Sequence, residues 1–240
     1  MISKIKKVIL DNKIKQRNIL YQVRENHWAD VYHDSIKGIS FLQTLPLNIG
    51  RWAGGYPFFY VLNRVLKDFR PKSILEMGLG ESTKFVSLYL DNYLTNTNHN
   101  VLEQDEKWVA FFNENFQLSE KSKIVLSPLT TKTIDNFKVN SYKDLSVVEN
   151  EVYNLYLIDG PFGSDNISRY EIVELSKKFK IGDEFIIIMD DYNRIGEQKT
   201  INKLLDVLNS KGITFYSNIY SGLKSVFILG TEKYKHVRSL

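Results

Sequence analysis

Short apolar segments that alternate with helical stripes are the feature that most constrains the fold of this chain. Residues 73–77, 153–158 and 185–189 are three such segments. Each is followed by residues whose apolar positions recur at helical spacing. Nearly continuous apolar strands joined through helices are typical of a parallel sheet covered by helices on both faces. The pattern therefore predicts a Rossmann-like α/β fold.

The end of the chain departs from this alternation. Residues 213–216 and 225–229 form two apolar segments with only a short loop between them. A connection without a helix predicts that these last two strands pair antiparallel. We therefore expect a mostly parallel sheet over residues 57–240, with an antiparallel last strand.

The first 56 residues are predicted to form a basic, helical N-terminal extension. Residues 1–24 carry seven basic side chains and one acidic one, and apolar residues recur among them at helical spacing. We expect a basic amphipathic helix that packs one face on the main domain, followed by short helices and loops. Peripheral docking of this helix on a membrane surface is the alternative.

Composition excludes several classes of function. The 240 residues include no cysteine, so disulfides, thiolate metal centres and thiol nucleophiles are ruled out. A net charge of +4 is too small to indicate a nucleic-acid binder. The sequence shows neither an apolar run of about 20 residues nor a clean signal-peptide pattern, so we expect a cytoplasmic protein.

The first two predicted strands end in residues suited to a nucleotide-like ligand. Gly78 and Gly80 follow the first strand, where they let the backbone turn tightly and approach a ligand. A second short strand is predicted over residues 101–103 and ends with Glu103, where a carboxylate accepts hydrogen bonds from ribose hydroxyls. Thr83 stands where a dinucleotide fingerprint needs its third glycine, which disfavours a pyrophosphate-binding oxidoreductase.

Three aspartates follow two later strands. Asp159 ends one strand, and Asp190 and Asp191 end the next. Carboxylates that converge at one sheet edge repel each other unless a cation offsets them. Arg169, Arg194 or a hard divalent metal could supply that charge. Capping of the following helix is the competing interpretation of Asp191.

These residues together resemble the class I S-adenosylmethionine-dependent methyltransferases. The resemblance covers most of the chain and is strongest to methyltransferase-like proteins of bacterial capsule and lipopolysaccharide clusters. It rests on four ordered motifs: residues 51–56 (RWAGGY), 71–84 (PKSILEMGLGESTK), 158–163 (IDGPFG) and 189–198 (MDDYNRIGEQ).

The resemblance implies a seven-stranded sheet with S-adenosylmethionine above its first two strands. Glu76, Gly78 and Gly80 would line the methionine part of the cofactor, and Glu103 would hold the ribose. Ser82, also assigned to the cofactor site, stands where many relatives have a third glycine.

The resemblance also gives the aspartates a role. Asp159 would face the reactive end of the cofactor. Asp159, Asp190 and Asp191 match the metal ligands of metal-dependent O-methyltransferases, so they would either hold Mg²⁺ or a similar cation or serve as a carboxylate base for the acceptor hydroxyl. The implied acceptor is a hydroxyl of a sugar or polysaccharide precursor.

Two other functions remain open on the sequence. A nucleotide-sugar glycosyltransferase could use Asp190 and Asp191 to hold its metal, although the glycine turn with Glu103 disfavours it. A methyltransferase fold without activity could serve as a binding subunit in polysaccharide assembly.

Overall fold

The computed structural model describes residues 2–50 and 52–240, so Arg51 of the first motif lies outside the described residues. The main sheet is built from seven strands, and a separate hairpin supplies two more. The strands are β1 (Ser73–Met77), β2 (Asn98–Glu103), β3 (Ser122–Leu126), β4 (Leu129–Ile134), β5 (Phe137–Tyr142), β6 (Leu155–Ile158), β7 (Ile186–Met189), β8 (Phe215–Ser221) and β9 (Ser225–Thr231).

Within the described residues, seven α-helices accompany the strands. They are α1 (Ile2–Ser35), α2 (Ser40–Gln43), α3 (Tyr56–Arg64), α4 (Glu81–Asn92), α5 (Glu106–Asn115), α6 (Glu171–Ser176) and α7 (Ile195–Ser210). A π-helical turn, Val65–Phe69, extends α3, and a 3₁₀ segment, Glu232–Ser239, follows β9.

The order of strands in the main sheet is β3-β2-β1-β6-β7-β9-β8. All neighbouring pairs are parallel except those of β9, which runs antiparallel to both β7 and β8. The predicted Rossmann-like sheet with an antiparallel last strand is therefore confirmed. The order reverses between β1 and β6, which is the point where open α/β sheets bind their ligands.

Strands β6 and β7 carry apolar or aromatic side chains at every position because the sheet is covered on both faces. In β6, Leu155 and Leu157 join one core, whereas Tyr156 and Ile158 join the core on the opposite face. Successive side chains of a strand point to opposite faces, so each position needs an apolar residue. This is the physical origin of the nearly continuous apolar segments in the sequence.

A hairpin of β4 and β5 lies between β3 and β6 in the chain and forms a separate two-stranded sheet. Strands β4 and β5 pair antiparallel across Asp135 and Asn136, whose φ angles are 50° and 67°. A two-residue turn with both residues in the left-handed region is the turn that matches the twist of a hairpin, and Asp and Asn tolerate it. The Asp-Asn pair was the available signal for this hairpin.

The N-terminal helix differs from its prediction in two ways. It continues as one helix to Ser35 where loops were expected, and every residue from Lys6 to Leu20 is exposed. The predicted docking of this part on the main domain is therefore wrong. Ile9 lies roughly opposite Ile14 on the helix, and none of the apolar residues between Lys6 and Leu20 is buried. No helix in the described parts of the chain is both long and apolar enough to cross a membrane.

The second half of α1 is firmly anchored. Trp28 packs between Tyr60 and Tyr220, with ring centroids 5.2 and 5.7 Å away. Tyr32 is buried in the same core as the sheet residues. The division into an extension of residues 1–56 and a domain of residues 57–240 stays a prediction.

A buried carboxylate on α1 holds two loops together. Glu25 accepts hydrogen bonds from the backbone N–H of Tyr56, at 2.8 Å, and of Leu223, at 2.7 Å. Gly222 leaves the space this requires, since a Cβ there would clash with the Glu25 carboxylate. Glu25 therefore fixes the start of α3 against the turn between β8 and β9.

We expect Glu25→Ala to lower the free energy of unfolding by about 2–4 kcal/mol, because two largely buried backbone N–H groups lose their acceptor. Chemical denaturation measures this change. Glu114→Ala, at an exposed position on α5, is the matched control and should stay within about 0.5 kcal/mol of the parent. Equal effects of the two substitutions would contradict the role given to Glu25.

Candidate functional site

The glycine turn after β1 lies directly against the end of β6. Gly78 has a φ of +101°, and a Cβ on it would lie 3.1 Å from the backbone nitrogen of Gly160. The backbone N–H of Asp159 donates to the carbonyl of Met77 at 3.0 Å. Only glycine suits this position, where both a left-handed backbone and a close approach are required.

Gly80 faces open space. It is the N-cap of α4, and a Cβ built on it meets no atom within 4 Å. Its backbone N–H donates to the hydroxyl of Thr83 at 3.0 Å. The space above Gly80 therefore borders the N-terminus of a twelve-residue helix, where backbone N–H groups and the helix dipole favour a polar ligand.

Glu76 and Ser82 lie on either side of the glycine turn in the chain and contact each other. Both are buried, and the hydroxyl of Ser82 donates to the carboxylate of Glu76. The other oxygen of Glu76 lies 3.0 Å from Nε2 of His99, whose Nδ1 lies 3.0 Å from the Ser122 hydroxyl. Direct contact of Glu76 and Ser82 with a cofactor stays a prediction.

The burial of His99 could not be predicted from the apolar pattern of the sequence. Its side chain is buried because β2 begins at Asn98, before the apolar residues Val101 and Leu102. The polar residues Asn98 to Asn100 concealed the start of the strand. His99 thus became a buried partner of Glu76.

Glu103 is held rigidly across the turn. One carboxylate oxygen accepts the backbone N–H of Leu79 at 3.0 Å. The other accepts the N–H groups of Gln104, at 2.8 Å, and Asp105, at 2.9 Å. A carboxylate has about four acceptor positions, so three backbone donors orient it and still leave capacity for a ligand hydroxyl.

An aromatic wall stands beside the turn. The indole N–H of Trp108 donates to the carbonyl of Leu79 at 2.7 Å, and its ring stacks on Phe111 at 5.5 Å. Trp108 keeps 40% of its surface exposed. The sequence gave no sign of the contact between Trp108 and the glycine turn.

The three aspartates converge as predicted. Asp159, Asp190 and Asp191 each offer a carboxylate oxygen, and these oxygens lie within 4.8 Å of one another. Asp190 is completely buried, whereas the side chain of Asp159 keeps 22% of its surface exposed. The cluster is therefore reachable from solvent through Asp159.

Arg169 joins the two strand ends that carry this cluster. Its guanidinium lies 3.2 Å from Asp159 and 2.9 Å from Asp191, and it donates to the backbone carbonyls of Ile158 and Asp190. The side chain is only 3% exposed. The sequence analysis proposed Arg169 and Arg194 as counter-charges. The structure places the Arg169 guanidinium in direct contact with two of the carboxylates.

Two further cations surround Asp191. The guanidinium of Arg194 lies 3.1 Å from its carboxylate, and the ammonium of Lys224 lies 3.3 Å away. Lys224 was not foreseen, because it comes from the distant turn between β8 and β9. Helix α7 begins at Ile195 with no side-chain cap, so the capping interpretation of Asp191 is wrong.

Asp190 has no hydrogen-bond partner on either carboxylate oxygen. Burial and then the charge of Asp191 raise its pKa to about 6. Burial and then the charge of Asp190 raise the pKa of Asp159 to about 8. Burial acts in the same direction on Asp191, but the surrounding cations, Arg169 foremost, lower its pKa. The cluster therefore retains a proton, or binds another cation, near neutral pH.

The residues present fit a hard divalent cation. All three donors are carboxylate oxygens, which Mg²⁺, Ca²⁺ and Mn²⁺ prefer. The two unpartnered oxygens of Asp190 are the observation that supports such an ion, since buried polar atoms are nearly always satisfied.

Comparison with known proteins agrees with the fold. No protein-family model and no curated sequence matches the chain. Among solved structures, an O-methyltransferase from Bacillus cereus in complex with S-adenosylhomocysteine is 13% identical, with a TM-score of 0.54 over 90% of this chain and 100% of that one. The O-methyltransferase TomG from Streptomyces achromogenes, in complex with S-adenosylmethionine, is 12% identical, with a TM-score of 0.50 over 85% and 88%. The chain therefore has the methyltransferase fold that the sequence resemblance implied.

Asp190→Asn should change stability in a pH-dependent way. The pKa of Asp190 is raised from 3.8 to about 6. The free energy of unfolding of the parent therefore falls as the pH rises through this interval, and it stays lower at higher pH. An amide carries no charge to bury. We expect the variant to gain about 1–3 kcal/mol relative to the parent between pH about 4 and pH about 8, measured by chemical denaturation. Asp206→Asn, at an exposed position on α7, is the control. A gain of the same size in both variants would contradict this account.

Proposed function

We propose that the protein is an S-adenosylmethionine-dependent methyltransferase that acts on a hydroxyl oxygen. The observation that carries the proposal is the open space at Gly80, at the N-terminus of α4, together with the carboxylate of Glu103, which accepts the backbone N–H of the neighbouring Leu79. This space lies at the carboxyl edge of the sheet, beside the reversal of strand order. The fold shared with cofactor-bound methyltransferases supports the same conclusion.

The cofactor supplies a methyl group on a positively charged sulfur. Gly78 and Gly80 admit its methionine part against the backbone, and Glu103 accepts hydrogen bonds from the ribose hydroxyls. Ser82 and Glu76 hold the turn in shape beneath. Orientation by such a preformed site contributes strongly to catalysis, about 7–11 kcal/mol in favourable systems.

Asp159 is proposed as the general base. It is the only member of the three-aspartate cluster that is not fully buried, and its pKa of about 8 is suited to taking a proton near neutral pH. Arg169 positions this carboxylate from the side through a contact of 3.2 Å. Asp190 keeps the pKa of Asp159 high because its charge lies next to it.

A divalent cation is the second candidate for activating the acceptor. Asp159, Asp190 and Asp191 would hold it, and it would lower the pKa of a bound hydroxyl. The unpartnered oxygens of Asp190 favour this candidate.

The acceptor class rests on the sequence resemblance. We propose a sugar or another precursor of a polysaccharide, as a small molecule or a longer glycan. A cytoplasmic location agrees with the absence of cysteine and with a cofactor made inside cells.

Gly80→Leu tests the cofactor site directly. Its φ of −173° is an extended conformation, and the space around it is open, so we expect the variant to fold with little change in stability. The added side chain should fill the cofactor space and weaken S-adenosylhomocysteine binding at least about 10-fold, a loss of about 1.4 kcal/mol. Isothermal calorimetry measures the binding, and Leu substitution at the exposed Lys107 is the control.

The same calorimetry includes nucleotide sugars as ligands. If the protein binds a nucleotide sugar but does not bind S-adenosylhomocysteine, the proposed function becomes glycosyl transfer instead of methyl transfer. S-adenosylhomocysteine binding that is unaffected by Gly80→Leu would place the cofactor elsewhere. A protein that binds neither ligand is not a methyltransferase.

The pH profile separates the two ways of activating the acceptor. The assay measures the rate at which labelled methyl groups are transferred to a panel of nucleotide sugars and oligosaccharides. If Asp159 is the base, this rate should rise with pH through the pKa of about 8. Asp159→Asn should lower the rate about 10²–10⁴-fold, and a chelator should have no effect. Loss of the rate on chelation, with recovery on adding Mn²⁺, would favour the cation.

A further inference from the structure

The first part of α1 stands clear of the rest of the molecule. Residues 6–24, here called the free arm, are exposed at every position except Tyr21, which is partly exposed. At 1.5 Å per residue the free arm is about 28 Å long. A helix of this length without a packed face is unlike the other long helices of the chain, which bury apolar residues.

The basic character of the protein is concentrated in the free arm. Six of its side chains are basic and one is acidic, whereas the whole chain has a formal net charge of only +4. The basic residues are Lys6, Lys7, Lys13, Lys15, Arg17 and Arg24, and the acidic one is Asp11. The surface therefore complements a strongly anionic partner.

Exposed aliphatic side chains accompany this charge. Val8, Ile9, Ile19, Leu20 and Val23 are 57%, 51%, 63%, 48% and 58% exposed, and at 100° per residue they share one half of the helix with Asn12 and Gln16. The basic residues occupy the rest of the circumference, interrupted by two more aliphatic residues. An aliphatic half flanked by basic side chains is the pattern of helices that lie in the plane of a membrane interface.

The free arm is connected to the candidate site by a short series of contacts. It is continuous with Glu25, which fixes Leu223, the neighbour of the site residue Lys224. Leu223 is 51% exposed. On the other loop that Glu25 holds, Trp52 is 98% exposed, and Trp is the residue most suited to a bilayer interface.

We propose that the free arm, together with Trp52 and Leu223, binds the surface of an anionic lipid bilayer. The basic side chains contact the headgroups, and the aliphatic half and the indole enter the interface. The cytoplasmic leaflet, which carries anionic lipid, is the matching surface. The candidate site then opens next to the membrane. This inference does not depend on methyl transfer.

A second copy of the chain fits the free arm less well. The positions that would form a zipper seam, spaced by three and four residues from Ile9 to Val23, include Asn12 and Gln16. The positions beside the seam include Lys13 and Lys15, so two arms would bring like charges together. A nucleic acid would use the charge but leave the aliphatic half and Trp52 in water.

Co-sedimentation with vesicles tests the proposal on the full chain. We expect binding to vesicles of phosphatidylcholine mixed with phosphatidylglycerol, little binding to phosphatidylcholine alone, and weakening as salt is added. Each basic side chain near an anionic bilayer strengthens binding about fivefold, so Lys6→Gln, Lys13→Gln and Arg17→Gln together should weaken it about 100-fold.

Two further variants complete the test. Ile9→Ser with Ile19→Ser should weaken vesicle binding at least about 10-fold at unchanged charge, since the buried aliphatic groups are lost. Lys107→Gln, Lys123→Gln and Lys138→Gln together, all exposed on the main domain, are the matched control and should bind as the parent does. All three variants should keep the thermal stability of the parent, because the altered side chains are exposed.

Three outcomes would overturn the proposal. One is equal binding to both kinds of vesicle, or none to either. A second is an equal loss of binding in the control and in the charge variant. The third is that the protein does not bind vesicles and instead forms another complex through the free arm. This would be a concentration-dependent dimer that the Ile9→Ser and Ile19→Ser variant abolishes, or a complex with duplex DNA that the charge variant abolishes.

Discussion

The buried guanidinium of Arg169 is the interaction on which the candidate site depends. It contacts the carboxylates of Asp159 and Asp191 and the backbone carbonyls at the ends of β6 and β7. Without it, three carboxylates at one sheet edge would repel each other in a region that water barely reaches. Arg169 and Asp191 both have φ angles in the left-handed region, 55° and 56°, a conformation that costs energy for such residues. The strain and the burial of charge are concentrated where the two central strands end.

Asp190 destabilises the native state at the candidate site. Nothing in the fold requires a carboxylate there, since neither oxygen has a partner and burial raises its pKa. An apolar or amide side chain of similar size would be cheaper to bury. A group that destabilises the native state but lies beside Asp159 has a chemical explanation: it keeps the Asp159 carboxyl basic, or it binds a cation. Sites of this kind are where local rules of stability are expected to fail.

Sequence patterns predicted the parts of the fold that are repeated along the chain. The buried strands, the glycine turn and the three aspartates each follow from spacing within a short segment, and the structure brings the aspartates together. Residues whose role depends on distant contacts could not be found in this way. Lys224 reaches Asp191 from another strand connection, Glu25 clamps loops far along the chain, and His99 lies in a strand whose polar start hid it. The projecting arm was missed because a helical pattern predicts a helix but not what covers it.

The N-terminal helix and the candidate site are joined by one short chain of contacts. Glu25 holds the backbone of Leu223, the next residue is Lys224, and the ammonium of Lys224 lies 3.3 Å from Asp191 and donates to the carbonyl of Ala53. Glu25 therefore helps to place a cation that lowers the pKa of Asp191. Because Asp191 in turn raises the pKa of Asp190, the electrostatic balance of the cluster depends on where the turn between β8 and β9 holds Lys224. A rigid anchor for α1 thus preserves the electrostatic balance of the site as well as the fold.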